Sequence, residues 1–191
     1  MEKKTLCLNF YSGPGAGKST IAAAVFAELK KHHINCELIA EFAKRKIWEG
    51  NMECLNNQLY ITAKQQYLMW TVSKHVDLIV TDSPLLLGCV YGEDPLLDQI
   101  IFREYRKYVN IDVFLSRNQS ATYQSNGRMQ SLDEALEKDF QIMNILKLAN
   151  QKFTEVCVND FAVGKITEMT LGKLSEFLAE SGSQPNQTPG T

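Results

Sequence analysis

Tyr11-Ser12-Gly13-Pro14-Gly15-Ala16-Gly17-Lys18-Ser19-Thr20 joins an apolar run at residues 6–10 to an alanine-rich run at residues 21–29. The first run predicts a buried strand and the second predicts a helix. A glycine-rich turn between a strand and a helix is the context of a phosphate-binding loop. Glycines let main-chain N–H groups converge on phosphate oxygens, and the start of the helix adds unpaired donors. The sequence therefore predicts a nucleotide-binding site at this turn.

Each residue type in the turn suits one part of a bound nucleotide. The predicted nucleotide contacts are Gly13, Gly15, Ala16, Gly17, Lys18, Ser19 and Thr20. The Lys18 ammonium is expected to reach the β- and γ-phosphates, and the Ser19 hydroxyl is expected to ligate Mg²⁺. Ser12 occupies the position at which the usual pattern has a glycine. ATP and Mg²⁺ are the predicted cofactors.

Composition sets limits on the class of protein. The chain has 191 residues, 45% of them apolar and 22% charged, with a formal net charge of −2. This charge gives no general attraction to nucleic acid or acidic lipid, although a local basic strip can still bind DNA. Neither a signal peptide nor a membrane-length apolar stretch is visible, and five cysteines without C-x-x-C spacing suit a reducing compartment. We expect a cytoplasmic protein that does not bind membranes, and the oligomeric state cannot be read from the sequence.

Strand-like and helix-like segments alternate along the chain. Further strands are predicted at residues 36–41, 77–82, 111–115 and 153–158, and helices at 55–74, from Asp94-Pro95, at 131–148 and at 165–178. Such alternation indicates an α/β fold, in which helices cover both faces of a parallel sheet. Residues 1–180 are expected to form one domain, with a polar loop at 116–130 and a disordered tail at 181–191.

Two carboxylates are predicted at the ends of strands. Ligands of parallel sheets gather beyond the carboxyl ends of the strands, so Asp82 and Glu41 should face the loop that holds Lys18. Asp82 is the candidate for holding a metal ion or orienting an attacking hydroxyl. Glu41 is the candidate for contacting a hydroxyl of the acceptor substrate.

Three arginines complete the predicted site. Arg45 lies four residues after Glu41, where it can pair with Glu41 or contact the acceptor. Arg117 and Arg128 flank the polar loop, and a guanidinium placed there can stabilise the charge of a transferred phosphoryl group. In contrast, the glutamines at 58, 65 and 66 are interpreted as surface residues, and the tryptophans as core residues.

At this point the chain resembles the nucleoside and nucleotide kinases with a phosphate-binding loop, particularly the ribosylnicotinamide-kinase-like branch and its phage-encoded relatives. The residues that carry the resemblance are 12–20, Glu41-Phe42-Ala43-Lys44-Arg45, Thr81-Asp82-Ser83-Pro84-Leu85-Leu86-Leu87 and Asn126-Gly127-Arg128. The resemblance implies the three-layer P-loop NTPase fold with a five-stranded sheet in the order 2-3-1-4-5. It also implies ATP-Mg as phosphate donor, a lid at residues 116–130, and host cytoplasm as the location if the chain is encoded by a phage.

The predicted function is transfer of the ATP γ-phosphate to a hydroxyl of a nucleoside-like acceptor. Lys18, Asp82, Glu41, Arg128 and Arg117 are the candidate catalytic residues. A hydroxymethylated pyrimidine base within DNA is an alternative acceptor. A regulatory ATP-binding protein or an ATPase without an acceptor is the alternative from a different class. A GTPase is disfavoured because Asp82-Ser83-Pro84-Leu85 lacks the glycine of a D-x-x-G motif.

Overall fold

Five parallel strands form one sheet in the computed structural model, which describes residues 4–92, 94–117, 132–149 and 152–180. The strands are β1 (Leu6–Tyr11), β2 (Cys36–Ile39), β3 (Leu78–Thr81), β4 (Val109–Ser116) and β5 (Thr154–Cys157). Their spatial order is β2-β3-β1-β4-β5, which confirms the predicted order. The strand that leads into the glycine-rich turn is therefore central, with β3 on one side and β4 on the other.

Seven α-helices connect the strands within the described part of the chain. They are α1 (Lys18–Lys31), α2 (Phe42–Trp48), α3 (Gln58–Ser73), α4 (Leu87–Tyr91), α5 (Pro95–Tyr105), α6 (Leu132–Leu148) and α7 (Ala162–Glu180). The Asp94-Pro95 start signal is confirmed, because the Asp94 side chain accepts a 2.9 Å hydrogen bond from Leu96 N–H. The short helix α4, which follows directly on the Asp82 turn, was not predicted.

Apolar side chains cover the sheet on both faces. One cluster joins alternate residues of β1, such as Leu8 and Phe10, to α1 and α7. The other joins Cys7 and Tyr11 to α3, α4, α5 and α6. All six residues of β1 are buried, as a strand covered on both faces requires. This arrangement fixes the carboxyl end of β1, and hence the loop after it, at the centre of the sheet edge.

The predictions about the apolar residues of the helices need correction. The apolar face expected on α3 lies in solvent: Leu59, Tyr67 and Trp70 are each at least half exposed. The helix instead packs through Ile61, Gln65 and Met69. The chain positions α3 by burying a different set of side chains from the one that periodicity suggested, because the neighbouring elements decide which face is covered.

Two further interpretations of apolar residues were wrong. Trp48 is 80% exposed at the end of α2 and is not a core residue. On α5, Leu97 and Ile101 are buried as expected, but Leu96 and Ile100 are exposed. Leu97 and Ile101 lie four residues apart and share the face toward the sheet, and the other pair is turned away from it.

Some predictions fall outside the described residues. Arg128, most of the predicted loop at 116–130 and the predicted tail at 181–191 lie there. Among the residues that the structure describes, no helix is both long enough and apolar enough to cross a membrane.

Candidate active site

The loop after β1 has the backbone that its glycines permit. Gly15 and Gly17 have φ angles of 91° and 87°, in the left-handed region that favours glycine. Gly13 is required for a different reason: a Cβ atom on Gly13 would lie 2.3 Å from the main-chain oxygen of Ala135 on α6. Ser12 is fully buried and has no positive φ, so this position does not need glycine.

The first turn of α1 faces the loop without a side-chain cap. Gly17 is the N-terminal cap residue and has no side chain, and no acidic residue lies in the first turn. The first main-chain N–H groups of a helix have no partner within the helix and carry partial positive charge. Ser19 and Thr20 are exposed in this turn. The turn therefore presents N–H donors and two hydroxyls, a set suited to an anion and a metal ion.

Lys18 lies between the loop and three carboxylates. Its Nζ donates a 2.7 Å hydrogen bond to the main-chain oxygen of Ser12. Burial lowers the pKa of the Lys18 ammonium, while the negative charges of Glu41, Asp82 and Asp139 act in the opposite direction. Lys18 is thus near both carboxylates that the sequence predicted for the site.

The ends of β2 and β3 hold Glu41 and Asp82 next to each other. Thr81 Oγ1 donates a 2.8 Å hydrogen bond to the main-chain oxygen of Ile39, which links the last residues of the two strands. Asp82 follows directly and is 6% exposed, and its Oδ1 has no hydrogen-bond partner among the described residues. Burial raises the pKa of the Glu41 carboxyl, and the negative charge of Asp82 raises it further.

Gln65 supports Glu41 from below, a role that sequence reasoning missed. Its Oε1 accepts a 3.0 Å hydrogen bond from the main-chain N–H of Phe42, and the side chain is 4% exposed. The interpretation of Gln65 as a surface residue was therefore wrong. The bond comes from a residue 23 positions away, so no local pattern could have indicated it.

Asp139 is a second site residue that the sequence did not reveal. It lies on α6 and its Oδ2 accepts a 3.0 Å hydrogen bond from Nε of Arg117, which follows β4. Its Oδ1 accepts the main-chain N–H of Gly13. Asp139 is one of several acidic residues on α6, and nothing in their spacing marked it.

Tyr91 also lies near these carboxylates. Burial raises the pKa of its phenol to about 12, with smaller contributions from Glu41 and Asp139. The residue ends α4, the helix that the sequence did not predict. A phenol that stays protonated near Glu41 is a hydrogen-bond donor on the acceptor side of the site.

Arg45 points away from the predicted Glu41 contact. Its Nε lies 3.3 Å from Glu49 Oε1, and its side chain is 79% exposed. The Arg45–Glu41 ion pair that the spacing allowed is thus replaced by an Arg45–Glu49 pair. The expectation that Arg45 contacts the acceptor stays a prediction, as does the role of Arg128, which lies outside the described residues.

The residues present fit ATP and Mg²⁺ by their own chemistry. Asp82 Oδ1 is a buried carboxylate oxygen without a partner in the described part of the chain, and such an oxygen suits a hard cation. The glycine-rich turn with uncapped helix N–H groups suits a polyphosphate. We therefore assign Ser19 and Asp82 as the candidate Mg²⁺ contacts and residues 13–20 as the candidate phosphate contacts.

Comparison with known proteins gives likenesses of structure only. No protein-family model matches the chain, and no curated protein sequence matches it. Deoxyadenosine kinase from M. mycoides, solved with the products dCMP and a flexible dCDP, has a TM-score of 0.53 at 16% identity. This match covers 89% of the present chain and 99% of the kinase.

A second solved structure is the NadR protein in complex with NR, with a TM-score of 0.53 at 14% identity. The match covers 97% of the present chain but spans only about half, 54%, of the NadR chain. At such identities the likeness concerns the fold. The five-stranded parallel sheet in the order β2-β3-β1-β4-β5, with helices on both faces, is the P-loop NTPase fold of these kinases.

Proposed function

We propose that this protein is an ATP-dependent kinase that transfers the γ-phosphate to a hydroxyl group of a nucleoside-like acceptor. The observation that carries the proposal is the meeting of Lys18, Glu41 and Asp82 at one sheet edge, beside a phosphate-binding turn. A site that only binds a nucleotide needs the turn and the lysine. The second carboxylate, Glu41, has its place in a site where a hydroxyl must also be oriented.

The proposed mechanism is positioning combined with charge neutralisation. Main-chain N–H groups of the turn and Lys18 bind the phosphates, and Arg117 adds a second positive charge near the turn. Ser19 and Asp82 would hold Mg²⁺, which when bound neutralises phosphate charge. Glu41 accepts a hydrogen bond from the acceptor hydroxyl and takes its proton as the new P–O bond forms.

The raised pKa of Glu41 suits this role. Burial raises the pKa of the Glu41 carboxyl, which makes its carboxylate a better proton acceptor than an ordinary surface glutamate. The nearby Lys18 ammonium acts in the opposite direction and favours the ionised form. Glu41 is therefore proposed as the base, and Asp82 as the metal-binding carboxylate.

The solved structures support a nucleoside-like acceptor by analogy of fold. One of them is named as a deoxyadenosine kinase and contains dCMP, and the other contains NR. An acceptor within DNA has its own supporting observation, because α2 exposes Trp48 and Arg45 a few residues after Glu41. An exposed aromatic ring next to a guanidinium suits a single-stranded base and its phosphate.

The test is transfer of label from γ-labelled ATP. The protein is incubated with Mg²⁺ and, separately, with nucleosides, ribosylnicotinamide, mononucleotides and hydroxymethyl-base DNA. We expect labelled product from one class, with ADP formed only when that acceptor is present. Formation of ADP at the same rate without any acceptor would identify an ATPase and overturn the proposal.

A further inference from the structure

Asp139 connects three parts of the molecule that are distant in the sequence. It lies on α6, 126 residues after Gly13 and 22 residues after Arg117, and is 9% exposed. Oδ1 accepts the main-chain N–H of Gly13, and Oδ2 accepts Nε of Arg117 at 3.0 Å. One carboxylate thus joins the start of the phosphate-binding turn, the end of β4 and α6.

The surroundings of Gly13 leave little freedom for this arrangement. A Cβ atom on Gly13 would lie 2.3 Å from Ala135 O and 3.1 Å from Arg117 Nη2. Ala135 is one helical turn before Asp139, so the turn rests directly on α6. The guanidinium of Arg117 is thereby held against the first glycine of the turn.

Only part of the Arg117 guanidinium is satisfied by Asp139. Nε is paired with the carboxylate, while Nη2 is buried and has no hydrogen-bond partner in the described segments. A buried guanidinium nitrogen without an acceptor is unfavourable. Because Nη2 lies beside the turn, the oxygen that suits it best is one of a phosphate bound there.

The charges give Asp139 a second effect. Its carboxylate raises the pKa of the Lys18 ammonium, while the Arg117 guanidinium lowers it. Asp139 therefore lies between two cations that would otherwise repel each other. Without its charge, the Arg117 and Lys18 side chains would favour positions farther apart.

We propose that Asp139 is a positioning residue, which holds Arg117 with Nη2 directed to the phosphate-binding turn and fixes the Gly13 end of that turn. Asp139 itself contacts neither ATP nor the acceptor. The inference rests on the proposed function, because it assigns to Arg117 a contact with the phosphates. It predicts that Asp139 and Arg117 act as one unit toward a nucleotide.

The experiment is a double-mutant cycle read by the affinity for a nonhydrolysable ATP analogue with Mg²⁺, measured by calorimetry. We expect Arg117→Ala and Asp139→Asn each to weaken binding about 10-fold or more, the effect of losing a hydrogen bond to a charged group. The double variant should be no weaker than Arg117→Ala alone, because the two residues act through the same contact. Additive losses would overturn the proposal, since Asp139 would then act independently of Arg117.

Two more variants keep the test decisive. Glu137→Gln, on the exposed side of the same helix, should bind the analogue as the wild type does. Arg117→Lys keeps the positive charge and the Asp139–Gly13 bond but loses the forked guanidinium, so we expect almost the full loss seen in Arg117→Ala. Wild-type affinity in Arg117→Lys would overturn the proposal even if Asp139→Asn failed to fold.

The outcome is separable from that of the kinase proposal. If the wild type transfers label to none of the acceptors but the coupled loss of analogue binding is found, the kinase proposal fails and the role of Asp139 stands. If label is transferred but the losses are additive, the role of Asp139 fails and the kinase proposal stands.

Discussion

Lys18 Nζ donates a 2.7 Å hydrogen bond to the main-chain oxygen of Ser12, so the catalytic candidate bends back over its own loop. The bond joins the two ends of the phosphate-binding turn. It also keeps the ammonium close to Glu41 and Asp82, whose charges act on its pKa. A side chain placed in this way can bind phosphate oxygens with little further reorganisation.

Replacement of this side chain tests the centre of the site. In Lys18→Ala we expect phosphate transfer to fall by at least about 100-fold, the usual loss for one charge-stabilising group. Circular dichroism and the unfolding midpoint should stay close to the wild type, because alanine suits the start of α1. Lys31→Ala, at the exposed end of the same helix, is the control and should keep full activity. Unchanged turnover in Lys18→Ala would contradict the mechanism.

The contact between Gly13 and α6 predicts a large effect from a small substitution. Gly13→Ala would place a methyl group 2.3 Å from Ala135 O, so the turn and α6 must move apart. We expect a loss of about 1–3 kcal/mol in the free energy of unfolding, measured with urea, together with weaker ATP binding.

The matched control is Gly172→Ala within α7, where an added Cβ would meet nothing within 4 Å. This change should stabilise the protein by about 0.5–1 kcal/mol, because glycine is unfavourable inside a helix. Equal effects of the two substitutions would show that Gly13 does not approach α6 closely.

Asp82 predicts how the reaction depends on metal. Asp82→Asn keeps the shape of the side chain but removes its charge, so we expect the Mg²⁺ concentration for half-maximal activity to rise about 10-fold or more. A Mg²⁺ titration of phosphate transfer measures this shift. Asp160→Asn, an exposed residue before α7, serves as the control. An identical Mg²⁺ requirement in Asp82→Asn would exclude Asp82 as a metal contact.

Glu41 predicts the acidic side of the pH profile. The base must be ionised, and burial raises the pKa of the Glu41 carboxyl, so kcat/KM should increase with pH through a value above the ordinary glutamate pKa of about 4.3. In Glu41→Gln this pH-dependent rise should disappear along with most of the activity. Glu37→Gln, on the exposed part of β2, should keep the rise. A profile that is flat down to pH 4 in the wild type would argue against Glu41 as the base.

A buried carboxylate next to the site strand predicts how stability depends on pH. Asp112 on β4 is 2% exposed, and it accepts hydrogen bonds from Tyr105 Oη and from Asn9 Nδ2, the latter at 2.9 Å. Burial raises the pKa of the Asp112 carboxyl. The folded state therefore binds this proton more tightly than the unfolded state does, and its contribution to stability falls as the pH rises from about 3.9 through the raised pKa.

Two variants of Asp112 separate this charge from its hydrogen bonds. Asp112→Asn has no charge to lose, so its stability relative to the wild type should improve as the pH rises through that range. Asp112→Ala also removes the acceptor of Tyr105, which should cost about 1–3 kcal/mol in urea unfolding at all pH values. A constant difference between Asp112→Asn and the wild type would contradict the raised pKa.

The phosphate-binding turn was predictable because its chemistry is local. The glycines, Lys18 and Ser19 lie within eight residues, and their order specifies a turn that leads into a helix. The strand order had a similar basis, since the resemblance to kinases with this turn implies it, and the structure confirms it. Asp82 and Glu41 were found because each ends a strand-like run.

The tertiary structure alone decided the contacts between distant residues. Asp139 meets Gly13 across 126 positions, and Gln65 meets Phe42 across 23. Neither contact leaves a local pattern, because a hydrogen bond depends on how helices pack over the sheet and not on the spacing of side chains along one of them. For the same reason the sequence showed that α3 has an apolar face but could not show that Trp70 lies in solvent.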